Sequence, residues 1–463
     1  MATDLRSEER RNYSLILDVS TIIKADTTRP TGIHRVVLET ALAAIELTGG
    51  AVEFTRFDRS ARCYRKVEHA TLLNIITALT SEEISSDSAE PGTAGRRSHS
   101  TLGLRLLARL ATVAPSTATH TGAAFGYLRR SARAARSALL SIRPEIQRRR
   151  MADRRPCHSS AWSTCSMYCS LGLDLTFNDL NYLMRCKRTR GFRVAMMVHD
   201  LIPCMAPQYS TQELTTYFAS LIAVSDTVLV ASAQTRTDLA VFASDLGMQL
   251  PMVETISLSS SLVNATPTRP ASLPDSIGSS GFVMFVSTIT ARKNHHLLLD
   301  VWARFLSGEV DSSVPFLIIA GSPGSLSDET MNRLRRDTRL RKRVIHLQGL
   351  ADPEIAWLYQ HCAFTLYPSF YEGWGLPVTE SLDFGKVCIA SDTTSLPEAG
   401  EGLAIHLDPT NREQWAAQIL ELWSDLPLRS ELEGRIRRQH HHRDSVATTA
   451  HLLTAIGVET RQP

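Results

Sequence analysis

The chain has no apolar run of the roughly 18 to 20 residues that a membrane-spanning helix requires. Its first residues, MATDLRSEERRNYS, are polar and lack the apolar core of a secretory signal, so the sequence predicts a cytoplasmic location. Cysteine is sparse, with eight residues and no CxxC pair. Cys165 and Cys169 lie nearest each other, without histidines at zinc spacing, so a structural zinc site is excluded and reduced thiols are expected. The dinucleotide pattern GxGxxG is missing, as is an Asp-x-Asp pair near a phosphate loop, so no metal or other cofactor is expected. The run His440-His441-His442 falls in a polar helical segment and reads as solvated.

What is present suits a soluble protein of two domains: 463 residues, 43% hydrophobic and 21% charged. The formal net charge of +3 conceals a strong asymmetry. Residues 96–155 hold fourteen arginines, no lysine and two acids, Glu145 and Asp153, which leaves the remainder of the chain acidic. Within that stretch Leu102, Leu106, Leu110 and Val113 share one helical stripe, with Arg105 and Arg109 on another. Leu128, Ala132, Ala135, Leu139 and Ile142 form a second stripe, beside Arg129, Arg133, Arg136 and Arg143. Basic amphipathic helices of this kind bind anionic membrane surfaces. An Arg-biased insertion without a partner is the alternative, and the absence of interleaved aromatics argues against nucleic acid.

Outside residues 81–160 the pattern is α/β. YSLILDVS reads as a first buried strand, GIHRVVLETALAAIEL as a helix opening at Gly32, and GAVEFTRF as a second strand. Alternation resumes near Leu171, with FRVAMMV and TVLVAS as further strands. Val263–Ser280 reads as a linker, after which strands and helices alternate from GFVMFVS to VCIAS. This rhythm predicts two Rossmann-like domains facing a cleft, with an Arg-rich helical insertion in the first. The expected boundaries are 12–262 with the insertion at about 81–160, then 276–440, then a C-terminal helix and tail at 441–463.

Three loops carry the chemistry. In YPSFYEGWGLPVTESLDFGKVCIAS, seven residues separate Glu372 from Glu380, beginning with Gly373-Trp374-Gly375-Leu376-Pro377. Pro377 suits the start of a helix and Gly385 its stop, placing Glu380 in the first turn and Glu372 on the loop before it. The glycines admit a close backbone approach, and free amides at the helix start face an anion. After the strand FVMFVS come Arg292 and Lys293, a bidentate fork beside a point charge, which suit a diphosphate. In VHDLIP, His199 ends a strand and faces the cleft, and Asp200 either orients the imidazole or caps the next turn.

These motifs resemble the donor site of the retaining glycosyltransferases of family four, whose fold is GT-B. The first loop resembles their Glu-x7-Glu element. Thr31-Gly32-Ile33-His34-Arg35 resembles an N-domain element of bacterial surface-polysaccharide transferases, and HD-x-x-P resembles their loop that meets the transferred sugar. The resemblance implies that Arg292 and Lys293 clamp the diphosphate, Glu380 holds the ribose and Glu372 the sugar. It places Gly349 against the nucleotide base and Gly32 over the phosphates, with Arg35 at phosphate or acceptor. It implies His199 beside the reacting carbon, with Glu372, Arg292 and Lys293 as the other catalytic groups. The co-substrate would be a nucleotide sugar, best GDP-mannose, and the acceptor a lipid-linked or growing polysaccharide reached on the inner face of the cytoplasmic membrane. Ser287 stands where the family usually has glycine. Another GT-B enzyme or a silent nucleotide-sugar-binding scaffold is the alternative. A phosphorylase would show a pyridoxal lysine motif, which is absent, and a scaffold would have lost Glu372 or the Arg-Lys pair, which are present.

Overall fold

A computed structural model of the chain describes residues 14–23, 32–80, 166–172, 179–205, 212–277, 281–307, 314–324 and 327–460. The Arg-rich stretch 96–155, its helical stripes, and Thr31 lie outside the described residues.

The first domain contains β1 (Leu15–Asp18), α1 (Ser20–Ile23), α2 (Gly32–Leu47), β2 (Glu53–Asp58), β3 (Cys63–Val67) and α3 (His69–Thr80). It continues with β4 (Met167–Ser170), α4 (Leu180–Arg190), β5 (Arg193–Val198), α5 (Ile202–Met205), α6 (Gln212–Val224), β6 (Thr227–Val230), α7 (Ala233–Asp245) and β7 (Met252–Thr255). The seven strands run in the order β3-β2-β1-β4-β5-β6-β7. All neighbours are parallel except β2 and β3, an antiparallel hairpin at one edge. Strands such as LILD and MYCS are buried along their whole length because helices cover both faces. Helix ends follow local chemistry: Asp179 accepts the Tyr182 amide to start α4, and Gly191, at φ 76°, lets the chain leave it.

The second domain contains β8 (Phe282–Val286), α8 (His295–Phe305), β9 (Phe316–Ala320), α9 (Asp328–Arg336), β10 (Val344–Leu347), α10 (Asp352–His361) and β11 (Thr365–Tyr367). It continues with α11 (Leu376–Asp383), β12 (Cys388–Ser391), α12 (Leu396–Ala399), β13 (Ile405–Leu407), α13 (Arg412–Ser424) and α14 (Leu426–Gln439). Its sheet order is β10-β9-β8-β11-β12-β13, all parallel. The winding direction reverses between β8 and β11, so a crevice opens at their carboxyl ends. The loops carrying Arg292, Lys293 and Glu372 leave those two strands.

The expected linker is not a free tether. Leu262, Leu273 and Ile277 are buried with β8 and α10, and the Thr268 amide donates to the Pro353 carbonyl at 3.0 Å. The C-terminal segment is packed as well. Its helix α15 (Ser445–Ala455) crosses back to the first domain and packs on α2. Leu452 and Leu453 are buried in the same cluster as Val36, Val37, Ala41 and Ala44. The cysteines depart in one respect: Cys63, Cys169, Cys204, Cys362 and Cys388 are free, whereas Cys186 is disulfide-bonded.

Candidate functional site

At the β8–β11 switch point a short 3₁₀ turn, Ala291–Lys293, brings both cations against the loop that follows β11. Arg292 Nη1 lies 2.7 Å from Glu372 Oε2, and Lys293 Nζ lies 2.6 Å from Glu372 Oε1. Lys293 also donates to the Tyr367 hydroxyl at 2.6 Å, and Arg292 donates to the Tyr371 carbonyl at 3.0 Å. Glu372 and Lys293 are buried. Burial works against the Glu372 carboxylate, yet Lys293 and Arg292 outweigh it and hold the group below the usual range. Burial lowers Lys293, against the pull of Glu372. The arrangement is a fork and a point charge facing one carboxylate, ready to engage an anion.

Gly373 and Gly375 are glycines for different reasons. A Cβ on Gly373 would sit 2.0 Å from the His199 carbonyl oxygen of the facing domain. Gly375, at φ 109°, turns the chain into α11 and would meet Leu396. Trp374 is buried, with the Arg443 guanidinium 5.2 Å from its ring centroid. Leu376 comes within 3.2 Å of where a Cβ on Gly32 would stand, so Gly32 at the start of α2 meets this loop from the first domain.

Glu380 lies in α11 and is buried. It accepts from Ser260 Oγ at 3.0 Å and from the Tyr359 hydroxyl at 2.9 Å. Arg35 reaches it at 3.5 Å while also pairing with Asp352. Burial raises the Glu380 pKa despite these partners. Arg35 is therefore joined to the carboxylates at the start of α10 and in α11, away from the Arg292–Lys293 turn. Gly349, at φ 67°, turns exposed between β10 and α10.

On the facing wall His199 follows β5 and is buried. Its Nε2–H donates to the Leu171 carbonyl at 2.6 Å, which leaves Nδ1 as the lone-pair nitrogen of a ring that burial keeps neutral. Asp200 Oδ1 accepts the Ile202 amide at 3.1 Å, so of the two roles open in the sequence it takes the turn cap. The structure thus brings Glu372, Arg292, Lys293, Gly373 and the His199–Asp200 loop together. Glu380, Arg35 and Asp352 form a second cluster further along the cleft.

Sequence reasoning did not find Ser260, Tyr359 or Asp352 as partners of that second cluster. Tyr359 sits in the apolar stripe of α10, Ser260 in a polar run, and nothing local distinguishes either. Within the triple histidine, His441 and His442 are exposed as read, whereas His440 is not free in solvent. His440 bonds Asp383 and Glu401, each at 2.9 Å, and His442 bonds Asp383 at 2.9 Å.

Two Rossmann-like domains, with cationic and acidic loops at the switch point of the second, form the GT-B architecture. Residues 276–439 match the family model of glycosyl transferases group 1. Over 145 residues the chain is 32% identical to O-antigen chain mannosyltransferase B of Escherichia coli, covering 31% of this chain and 37% of that protein. It is 31% identical over 128 residues to the serotype-specific mannosyltransferase WbdA of Escherichia coli, covering 27% of this chain and 15% of that protein. The chain therefore spans well under half the length of these relatives. The crystal structure of Anabaena Alr3699/HepE in complex with UDP and glucose aligns over 96% of this chain and 98% of that one, with a TM-score of 0.56 and 14% identity. That likeness supports the two-domain fold of the described residues.

Proposed function

We propose that the protein is a retaining hexosyltransferase that moves mannose from a nucleotide sugar, GDP-mannose by preference, to a growing surface polysaccharide on a lipid carrier. The observation that carries this reading is the Arg292–Lys293–Glu372 cluster, with Lys293 and Glu372 buried, at the switch point of a domain that matches the group 1 glycosyltransferase model. The names of the two mannosyltransferase relatives support the sugar. In this reading the cations take the diphosphate and absorb the charge that develops as the bond from C1 to the phosphate oxygen breaks. Glu372, held ionised, binds hydroxyls of the sugar, and Glu380 binds those of the ribose. The acceptor oxygen forms its bond to C1 on the same face, and its proton passes to the departing phosphate. His199 offers Nδ1 as a hydrogen-bond acceptor to the sugar, and Arg292 with Lys293 meets the leaving charge without a divalent cation. Among the described residues no helix is long and apolar enough to cross a membrane. Contact with an anionic membrane surface is proposed for residues 96–155.

Calorimetric titration with GDP-, UDP-, dTDP- and ADP-sugars, in the presence of a chelator, tests the reading. One binder whose affinity is lost in Arg292→Ala is the expected result. Absence of binding across the panel would overturn it.

A further inference from the structure

The donor loop is held from two sides by one connected set of hydrogen bonds. From its own domain, Ser395 Oγ donates to the carbonyls of Glu372 at 3.0 Å and Trp374 at 2.8 Å. The Glu372 amide donates to Thr394 Oγ1 at 3.1 Å. From the other domain, Ser232 Oγ and Thr235 Oγ1, at the start of α7, donate to the Gly373 carbonyl at 2.7 Å and 3.2 Å. Glu398 closes the circuit. It stands three residues after Ser395, and its Oε2 accepts the Ala233 amide at 2.9 Å while Oε1 accepts the Gln234 amide at 3.1 Å. These are the first two amides of α7, which no residue within the helix can satisfy, at the positive end of its dipole. The third amide is taken by Ser232 Oγ at 3.0 Å.

We infer that Glu398 is a positioning residue for sugar transfer, latching the first turn of α7 to the segment that shapes the Glu372 loop. The inference rests on the glycosyltransferase reading and deepens it. With both carboxylate oxygens on α7, the loop stays pressed on the His199 carbonyl, where Gly373 leaves no room for a side chain. Glu372 is thereby fixed relative to the His199–Asp200 wall, which neither domain could achieve alone. Glu398 bonds the α7 amides and not Arg292, Lys293 or Glu380, so its removal leaves the groups for the diphosphate and ribose in place and disturbs the placement of Glu372 at the sugar.

The test compares the full chain with Glu398→Gln and Glu398→Ala. Glutamine keeps one acceptor oxygen and loses the second together with the charge; alanine loses both. The expected turnover falls about tenfold for Gln and about a hundredfold for Ala, the scale of a misplacement near one ångström. The donor dissociation constant is expected to stay within about threefold. Amide exchange of the peptide covering 232–236 is expected to speed up in Glu398→Ala, a readout that needs no substrate. Unchanged exchange, or turnover equal in all three proteins, would overturn the latch. Loss of donor affinity in step with turnover would overturn it too. Wild-type protein that binds no nucleotide sugar while exchange still responds to Glu398 would sink the transferase reading alone.

Discussion

Glu372 pairs with the two cations that a diphosphate would also claim, at 2.7 Å and 2.6 Å. Removing its charge while keeping its shape should therefore split affinity from turnover. Glu372→Gln is expected to bind a nucleoside diphosphate more tightly than wild type, because Arg292 and Lys293 face less competition. Turnover is expected to fall by about a hundredfold or more, since a group engaged in the transition state is lost. Titration calorimetry and initial rates on the same preparation read both quantities, and parallel losses would remove the competition argument. The same side chain has an acid signature. Its pKa is lowered in the fold, so the stability it adds is complete above the ordinary value of 4.5 and is lost as pH falls below it. The stability gap between wild type and Glu372→Gln should close on acidification from pH 5, as followed by urea unfolding.

Between α14 and α15 the chain passes His440, which is wedged between Asp383 at the end of α11 and Glu401 after α12. Arg443 pairs with Glu401 as well, and His441 and His442 stand beside the cluster. Burial lowers the His440 pKa, but the two carboxylates outweigh it and raise the group to about 9. The folded value exceeds the unfolded value of 6.5, so the stabilisation is complete below 6.5 and is lost as pH rises through about 9. His440→Gln is expected to be less stable than wild type by about 1–2 kcal/mol at pH 6, a figure reduced for partial solvent screening. The difference should vanish above pH 9, and a pH-independent gap would assign the loss to packing. This strap also shows what a sequence can and cannot disclose. The α11 loop is legible because Gly375, Pro377 and Gly385 each act on their own backbone, and the β8 turn is legible because its cations adjoin a strand. His440 reads as solvated because its partners lie 57 and 39 residues away. The Ser260 bond to Glu380 and the Glu398 bonds to α7 are hidden for the same reason: each is a pairing between distant segments that leaves no local pattern.

The polypeptide connects the two domains twice, first through the packed linker before β8 and then through the return of α15. The second crossing matters for the site because α15 rests on α2, the helix that begins at Gly32 and carries Arg35 to Glu380 and Asp352. The Arg193 guanidinium fastens the end of this return by donating to the Ile456 carbonyl at 3.0 Å. Leu453 is 1% exposed within the shared cluster, so truncating it leaves a cavity beneath α2. Leu453→Ala is expected to cost about 2–5 kcal/mol of stability, in the range of buried leucine deletions. Its second consequence separates a structural prop from a bystander. If α15 sets the position of α2, the variant should also bind nucleoside diphosphate more weakly, at temperatures well below its melting transition. Asp352→Asn, which cuts the Arg35 pairing directly, should reproduce that weakening without the loss of stability. Weakened binding in both proteins would show that the C-terminal helix reaches the donor site through α2 and Arg35. Full affinity in a destabilised Leu453→Ala would confine α15 to holding the first domain together.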